Sequence, residues 1–305
     1  MKPRFLIDLD TPSARRLVAL ALAAMAPATL AGTSINQRAA ADPAGQVEIS
    51  NISGSVVVTG WDRSEIEVTG ELGEGSERLE FSRADQLTRV KVIVPKRSSN
   101  VESTDLIVRV PAGSSIAVNT VSADLGVQGV RGSQRLQSVS GDIQTTVVSE
   151  DLECKTVSGD VRVTGSSQRS LTTVMTVSGD ARLERLAGEV NGNTVSGNIT
   201  VSMGEASRSR LRSTSGDLGV TGRLAGDARL DFESMSGNVR LDLEGPVGAE
   251  FDLSSFNGDI NNCFGPKAAR TDEYAPGTEL RFRQGAGGAR VRIKTFNGDI
   301  ALCNK

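Results

Sequence analysis

The chain has 305 residues, 33 of them glycine, with one tryptophan, one tyrosine, three cysteines, no histidine and a formal net charge of −3. The missing histidine excludes Ser-His-Asp and Cys-His catalysis and removes the commonest zinc ligand. A mildly acidic balance gives no nucleic-acid footprint, and the 38% of residues that are apolar alternate with polar ones after the first thirty.

Residues 1–31 read as a secretory signal peptide. Lys2, Arg4, Arg15 and Arg16 make a basic start, Leu17 to Leu30 is an apolar run of fourteen, and small residues follow. That run is too short for a spanning helix. Cleavage is expected after Ala31, with Ala41 as the alternative. Removing four positive and two negative charges takes the net charge from −3 to −5. No cysteine lies near the signal, so a lipid anchor is not expected, and no later segment reads as transmembrane. Residues 32–45 read as a flexible lead-in and 46–305 as a single domain.

Within that domain, residues 46–115 carry strand chemistry with poor periodicity. Val56 and Val58 alternate before Gly60-Trp61-Asp62-Arg63. Val90, Val92 and Val94 stop at Pro95, and Leu106, Val108 and Val110 stop at Pro111. These read as irregular first coils that cap an otherwise open sheet edge.

From about residue 116 one motif keeps returning. Val139-Ser140-Gly141-Asp142 recurs around Gly159, Gly179, Gly197, Gly216 and Gly237, and closes as Phe-Asn-Gly-Asp-Ile around Gly258 and Gly298. Val121-Ser122-Ala123-Asp124 is an upstream variant. The glycine separations from Gly141 are 18, 20, 18, 19, 21, 21 and 40. A period near twenty marks a repeat architecture. Two and four residues after the glycine, pairs such as Val161 and Val163 or Ile199 and Val201 alternate with period two, so they are strand. Five residues before it stand Val118, Leu136, Cys154, Val174, Leu211, Phe232, Leu253 and Ile293, with Gly192 breaking the column.

Three residues before the glycine the side chain is always a small hydroxyl: Thr120, Ser138, Thr156, Thr176, Thr194, Ser213, Ser234, Ser255 and Thr295. Two before it is a second, mainly apolar column, from Val121 to Phe296. The columns at minus five and minus two cannot both face inward on a straight strand, which suggests a bend or bulge between them. Columns of like residues imply stacking. The expectation is an all-β fold, a β-solenoid of coils of about 18–21 residues, regular over 116–305 with an excursion at 265–288. The eight glycines, Gly141 to Gly298, are its structural corners, where positive φ is anticipated and Asp or Asn bonds its own neighbouring backbone.

No catalytic constellation emerges. Asp124, Asp142, Asp160, Asp180, Asp217, Asp259 and Asp299, with Asn198 and Asn238, form a column that could hold calcium, but turn chemistry alone accounts for these residue types. Glu150, Asp151 and Glu153 read as an exposed loop. Trp61 and Tyr274, the large polar-tipped aromatics, lie at opposite ends of the sequence, unlike a sugar-cleaving groove. Arg208, Arg210 and Arg212, with Arg182, Arg185, Arg223, Arg229 and Arg240, could face an anionic glycan, although solvated edges that discourage aggregation are the favoured reading. Gly285-Ala286-Gly287-Gly288 reads as a plain turn. No cofactor or metal is expected.

Cys263 and Cys303 both sit five residues after the glycine of a Phe-Asn-Gly-Asp-Ile copy. If those copies are adjacent coils, the Cα atoms fall about 5 Å apart and a disulfide forms. If Leu280 and Phe282 belong to a full intervening coil, it does not. Adjacency is favoured, because Pro266, Pro276 and five glycines between 265 and 288 suit an excursion. Cys154 is left as a buried free thiol.

The Val-Ser-Gly-Asp array, Gly60-Trp61-Asp62-Arg63 and the two Phe-Asn-Gly-Asp-Ile copies resemble the bacterial "putative adhesin" family of unknown function over residues 46–305. The resemblance implies an exported or envelope-associated β-strand-repeat protein and carries no catalytic residues. The combined expectation is a non-enzymatic structural or binding protein, periplasmic, on the outer surface or secreted. Its partner would be a surface glycan, another envelope protein or a second copy of itself. The rivals are a polysaccharide-acting enzyme and a periplasmic partner in envelope-stress signalling.

Overall fold

Period-two alternation and the glycine corners shape almost everything that follows. The computed structural model describes residues 33–95, 102–271 and 276–304. The targeting signal at 1–31 and Tyr274 lie outside them. The described chain is all-β, with no helix, and residues from Gly32 onward form one compact unit.

Consecutive copies pair in parallel and in register. Leu152–Thr156 lies beside Arg169–Thr176, with Cys154 opposite Val174 and Thr156 opposite Thr176. Arg169–Thr176 lies beside Ala181–Thr194, with Thr176 opposite Thr194. The hydroxyl column continues through Ser213 and Ser234 to Thr295 and Ser255. Inward positions are buried: Val118, Leu136, Cys154, Val174, Leu211 and Phe232 form one continuous core column. At the glycine that interrupts it, an added Cβ would stand 2.8 Å from a methyl of Leu211 and 3.1 Å from one of Ile199, so those neighbours fill the gap.

The strand carries positions five and three before the glycine, which face in together, and the bend that most copies enter at position two before it turns that side chain outward. The side chains from Val121 to Phe296 are therefore on the surface.

The corners have a different cause from the one expected. Only Gly258 and Gly298 have positive φ among the eight. What all of them share is close approach between layers. A Cβ on Gly179 would lie 1.9 Å from the carbonyl oxygen of Gly159, and one on Gly159 would lie 2.1 Å from that of Gly141. The backbone amides of Gly141, Gly159, Gly179 and Gly197 are taken up within their own turns, as where Gly179 N donates to Thr176 Oγ1 at 3.0 Å, whereas those of Gly237 and Gly298 donate to Asn297 O and Asn257 O of neighbouring layers.

The order of layers departs from chain order at both ends. Ala289–Asn297 pairs in parallel with Leu218–Ser236 on one side and Ala249–Asn257 on the other. The last copy in the sequence is thus inserted between the two before it. Outside it, Ala249–Asn257 is covered by the antiparallel strand Thr278–Gln284, which with Ala269–Arg270 makes up the excursion. At the other end Gln46–Trp61 is no cap. It lies between Ser115–Gln128 and a layer made of Leu87–Ile93 and Thr104–Pro111. Antiparallel strands Arg78–Ala84 and Glu65–Leu72 close that layer. Thr33–Ala40, within the segment read as a flexible lead-in, pairs antiparallel with Glu65–Leu72. Its pairing satisfies an edge that would otherwise be open.

Candidate functional site

The outward column at the corner is the most unusual surface of the molecule. Val121, Val139, Val157, Val177 and Val195 are 42–45% exposed, Met235 59%, Phe296 48% and Phe256 45%. Thr214 is the single polar rung. These side chains stand one above another, because the strands that carry them pair in register, and together they form a ridge along the stack. At one end the rings of Phe256 and Phe296 stack, with centroids 4.7 Å apart and planes 7° from parallel. Isolated exposed apolar residues are ordinary, whereas a contiguous apolar line marks an interaction surface.

Two shallow hollows lie on one side of the ridge, between it and residues four before the glycines. One, near the first regular layers, encloses about 350 Å³ between Gln137, Lys155, Val139 and Val157. The other, near the last layers, encloses about 780 Å³ between Arg212, Lys294, Met235, Phe256, Phe296 and Pro276.

The Asp and Asn column runs along the other flank of the corner. Its side chains bond the next layer, not their own turn. Asp142 N donates to Asp124 Oδ1 at 3.0 Å, Asp160 N to Asp142 Oδ1 at 2.9 Å, and Asp180 N to Asp160 Oδ1 at 2.9 Å. Asn198 N then donates to Asp180 Oδ1 at 2.8 Å and Asp217 N to Asn198 Oδ1 at 2.9 Å. The chain of bonds continues through Asn238 and Asp299 to Asp259. An amide oxygen and a carboxylate oxygen do the same work here, which explains why Asn and Asp interchange.

The remaining candidates are committed to structure. Cys263 and Cys303 are bonded, with Cα atoms 4.8 Å apart. Cys154 is a buried free thiol whose pKa burial pushes up. Glu153 lies on a strand, not in a loop, and is paired with Lys155 and with Arg135 at 2.8 Å. The hydrogen bond from Lys155, then that from Arg135, holds its carboxyl below the usual range. Arg208, Arg210 and Arg212 are on an interior strand, not an edge, and pair with Glu189 at 3.4 Å, Asp231 at 3.7 Å and Glu233 at 3.1 Å. Trp61 donates its indole N–H to Glu65 O at 2.8 Å under the Arg63 guanidinium, so it serves its own turn.

Sequence reasoning located every rung of the ridge and a bend beside it but took the rungs to face inward. The signal was present in the phase: hydroxyls three before the glycine share the parity of the core column, which forces the next residue outward.

Among solved structures, the chain is similar to a "putative lipid binding protein" from Parabacteroides distasonis, at 12% identity and TM-score 0.49, covering 90% of this chain and 97% of that one. A "putative adhesin" from Bacteroides fragilis is 11% identical at TM-score 0.43, covering 88% and 97%. Another "putative adhesin" from Parabacteroides distasonis is 10% identical at TM-score 0.40, covering 90% and 98%. No curated protein matches. The model of the Toastrack DUF4097 family matches residues 46–303, the whole stack from its first parallel strand to the last cysteine, and the chain belongs to that family.

Proposed function

We propose that this chain is an exported, non-enzymatic β-solenoid of the bacterial envelope that works as a binding surface, and that its apolar ridge makes the contact. The observation that carries the reading is that ridge: eight large apolar side chains in register, each more than 40% exposed. A folded protein gains from burying such a line, and a partner is what buries it. The parallel, in-register pairing of copies spaced 18–21 residues apart supports the solenoid. The commitment of Glu153 and the Asp column to bonds within the stack favours binding over sugar cleavage. A surface glycan, another envelope protein and a second copy of the chain are the partner classes for such a face.

Residues 1–31 are the proposed export signal. Cleavage after Ala31 keeps Thr33–Ala40, which covers the edge of Glu65–Leu72, whereas cleavage after Ala41 removes it. No helix among the described residues is long and apolar enough to cross a membrane.

The test compares the exported chain with its Val157→Asp/Val177→Asp variant in co-sedimentation with washed cell envelopes. The parent is expected in the pellet and the variant in the supernatant, with unchanged thermal melting. Equal pelleting of both removes the ridge from the function. Recovery of the chain from the cytoplasmic fraction of cells overturns export.

A further inference from the structure

We infer that the occupant of the ridge is a second copy of this chain, and that the two stacks interlock side by side, pointing the same way. The inference rests on the reading of the ridge as a binding surface and names what covers it. The first ground is periodicity. Rungs recur about every 4.8 Å, so nine layers give a ridge about 38 Å long. An extended peptide repeats the side chains of one face about every 6.6 Å and falls out of step within two or three rungs. A second copy carries the same ladder and stays in step throughout.

The second ground is shape. Both hollows lie on the same side of the ridge and form its groove, lined by Gln137 and Lys155 in the early layers and by Arg212 and Lys294 in the late ones. A two-fold axis along the stack reverses the order of ridge and groove across it, so each ridge enters the groove of the other. An axis across the stack leaves that order unchanged and sets ridge against ridge. An isologous contact of this kind closes on itself as a dimer.

Charge adds one contact. The axis along the stack brings the Asp column of each copy towards Lys294, on the flank where Lys155 and Arg212 are already paired with Glu153 and Glu233 and Glu279 also lines the groove. Lys294 makes no ion pair among the described residues, and Phe296, two residues on, is one of the stacked rings. The alternative axis puts the two acidic columns on the same side, where like charges repel.

Area sets the strength. A strip about 38 Å long and about two strand repeats, roughly 13 Å, wide gives on the order of 500 Å² per copy, or about 1,000 Å² in all. That lies at the lower bound of specific interfaces and implies a reversible dimer, not an obligate one.

Single cysteines on the ridge decide it. The parent has no accessible thiol, since Cys154 is buried and the other two cysteines are bonded to each other. Val121→Cys, Val157→Cys and Val195→Cys, each in the full exported chain, are treated with a short thiol-specific crosslinker and run on denaturing gels. Gln144→Cys, exposed on the adjoining face, controls for collision. All three ridge variants are expected to link to themselves and the control is not. Linking of Val195→Cys alone, the fifth of nine rungs, means opposed stacks and overturns the geometry. No linking above the control overturns self-association through the ridge.

In sedimentation, Val157→Arg/Val177→Arg is expected to weaken dimerisation at least about tenfold, and an unchanged dimer overturns the proposal. A monomeric parent whose ridge still retains envelope material sinks this inference while leaving the binding surface standing. Ridge-linked dimers that ignore envelopes do the opposite.

Discussion

Replacing Gly179 by alanine tests the interlayer contact at a corner. Its φ is not in the left-handed region, so alanine meets no intrinsic backbone penalty there. Elsewhere in a chain such a change gains about 0.4–1 kcal/mol through the unfolded state. Here the new Cβ would lie 1.9 Å from Gly159 O and 2.6 Å from its carbon. Relief to a 3.0 Å contact requires the layers to part by about 1.1 Å. Three hydrogen bonds cross that joint: Ser178 N to Val157 O at 2.9 Å, Val161 N to Asp180 O at 2.8 Å, and Asp180 N to Asp160 Oδ1 at 2.9 Å. Stretched by that amount they exceed hydrogen-bonding distance. At about 0.5–1.5 kcal/mol each, less the unfolded-state gain, the net loss is about 0.5–4 kcal/mol, centred near about 2. The central value corresponds to roughly 4–8 °C in Tm for a chain of this size. Gly204 provides the control, because nothing lies within 4 Å of its added Cβ. Calorimetry of the non-reduced protein is expected to show a large drop for Gly179→Ala and none for Gly204→Ala. Equal melting of Gly179→Ala and the parent, or an equal loss at both sites, refutes the close-approach argument.

The Asp column makes a paired prediction. Asp180→Ala removes the acceptor for Asn198 N and should cost about 0.5–1.5 kcal/mol in urea unfolding. Asp180→Asn keeps an Oδ1 acceptor and relieves repulsion from Asp160 about 4.8 Å away, so it should be neutral or slightly stabilising. A loss from Asp180→Asn as large as that from Asp180→Ala would mean that charge, not the acceptor, is what the column needs. Glu67 predicts the acid response of the amino-terminal layers. The hydrogen bond from Arg109, with further help from Arg38, outweighs burial and holds its carboxyl below the usual range. A folded value below the unfolded one stabilises above the unfolded pKa and is lost as pH falls through the folded one. Amide protection across 65–72, corrected for the intrinsic exchange rate at each pH, should therefore fall as pH drops into the acid range. The same acid response in Glu67→Gln would assign it to another group.

Much of the architecture was legible because each repeat states its own geometry. Alternation at Val161 and Val163 gave strand, and columns such as Thr156, Thr176 and Thr194 gave register. The equal offsets of Cys263 and Cys303 gave a pair of neighbouring copies. What escaped was anything that depends on the adjacent layer. That Gly179 is glycine because of Gly159 O, and that Asp180 accepts from Asn198, are facts between coils, and a single copy does not contain them. The outward turn of the ridge was missed for another reason. An apolar column was taken to face the core, although parity with Thr156 and Cys154 already placed Val157 on the other side. The order of layers was illegible in principle, since identical Phe-Asn-Gly-Asp-Ile copies fit either neighbour equally well.

That order explains how a stack of this kind ends. A parallel layer at the tip of a stack exposes a full row of unpaired backbone groups, and a chain that simply stopped there would leave its last strand with one neighbour. Here both extreme copies in the sequence are taken inside. Gln46–Trp61 and Ala289–Asn297 each have parallel partners on two sides, and Ile300–Asn304 lies between Val239–Leu243 and Ile260–Asn262. The tips are instead built from antiparallel strands: Thr278–Gln284 at one end, and at the other Arg78–Ala84 and Glu65–Leu72, the latter covered in turn by Thr33–Ala40. The disulfide then joins the inserted carboxy-terminal copy to the outer layer beside it, so it fastens an interior strand and not a frayed end. Between tips capped in this way the flanks are the long surfaces of the stack, and the ridge is the flank that carries an apolar line.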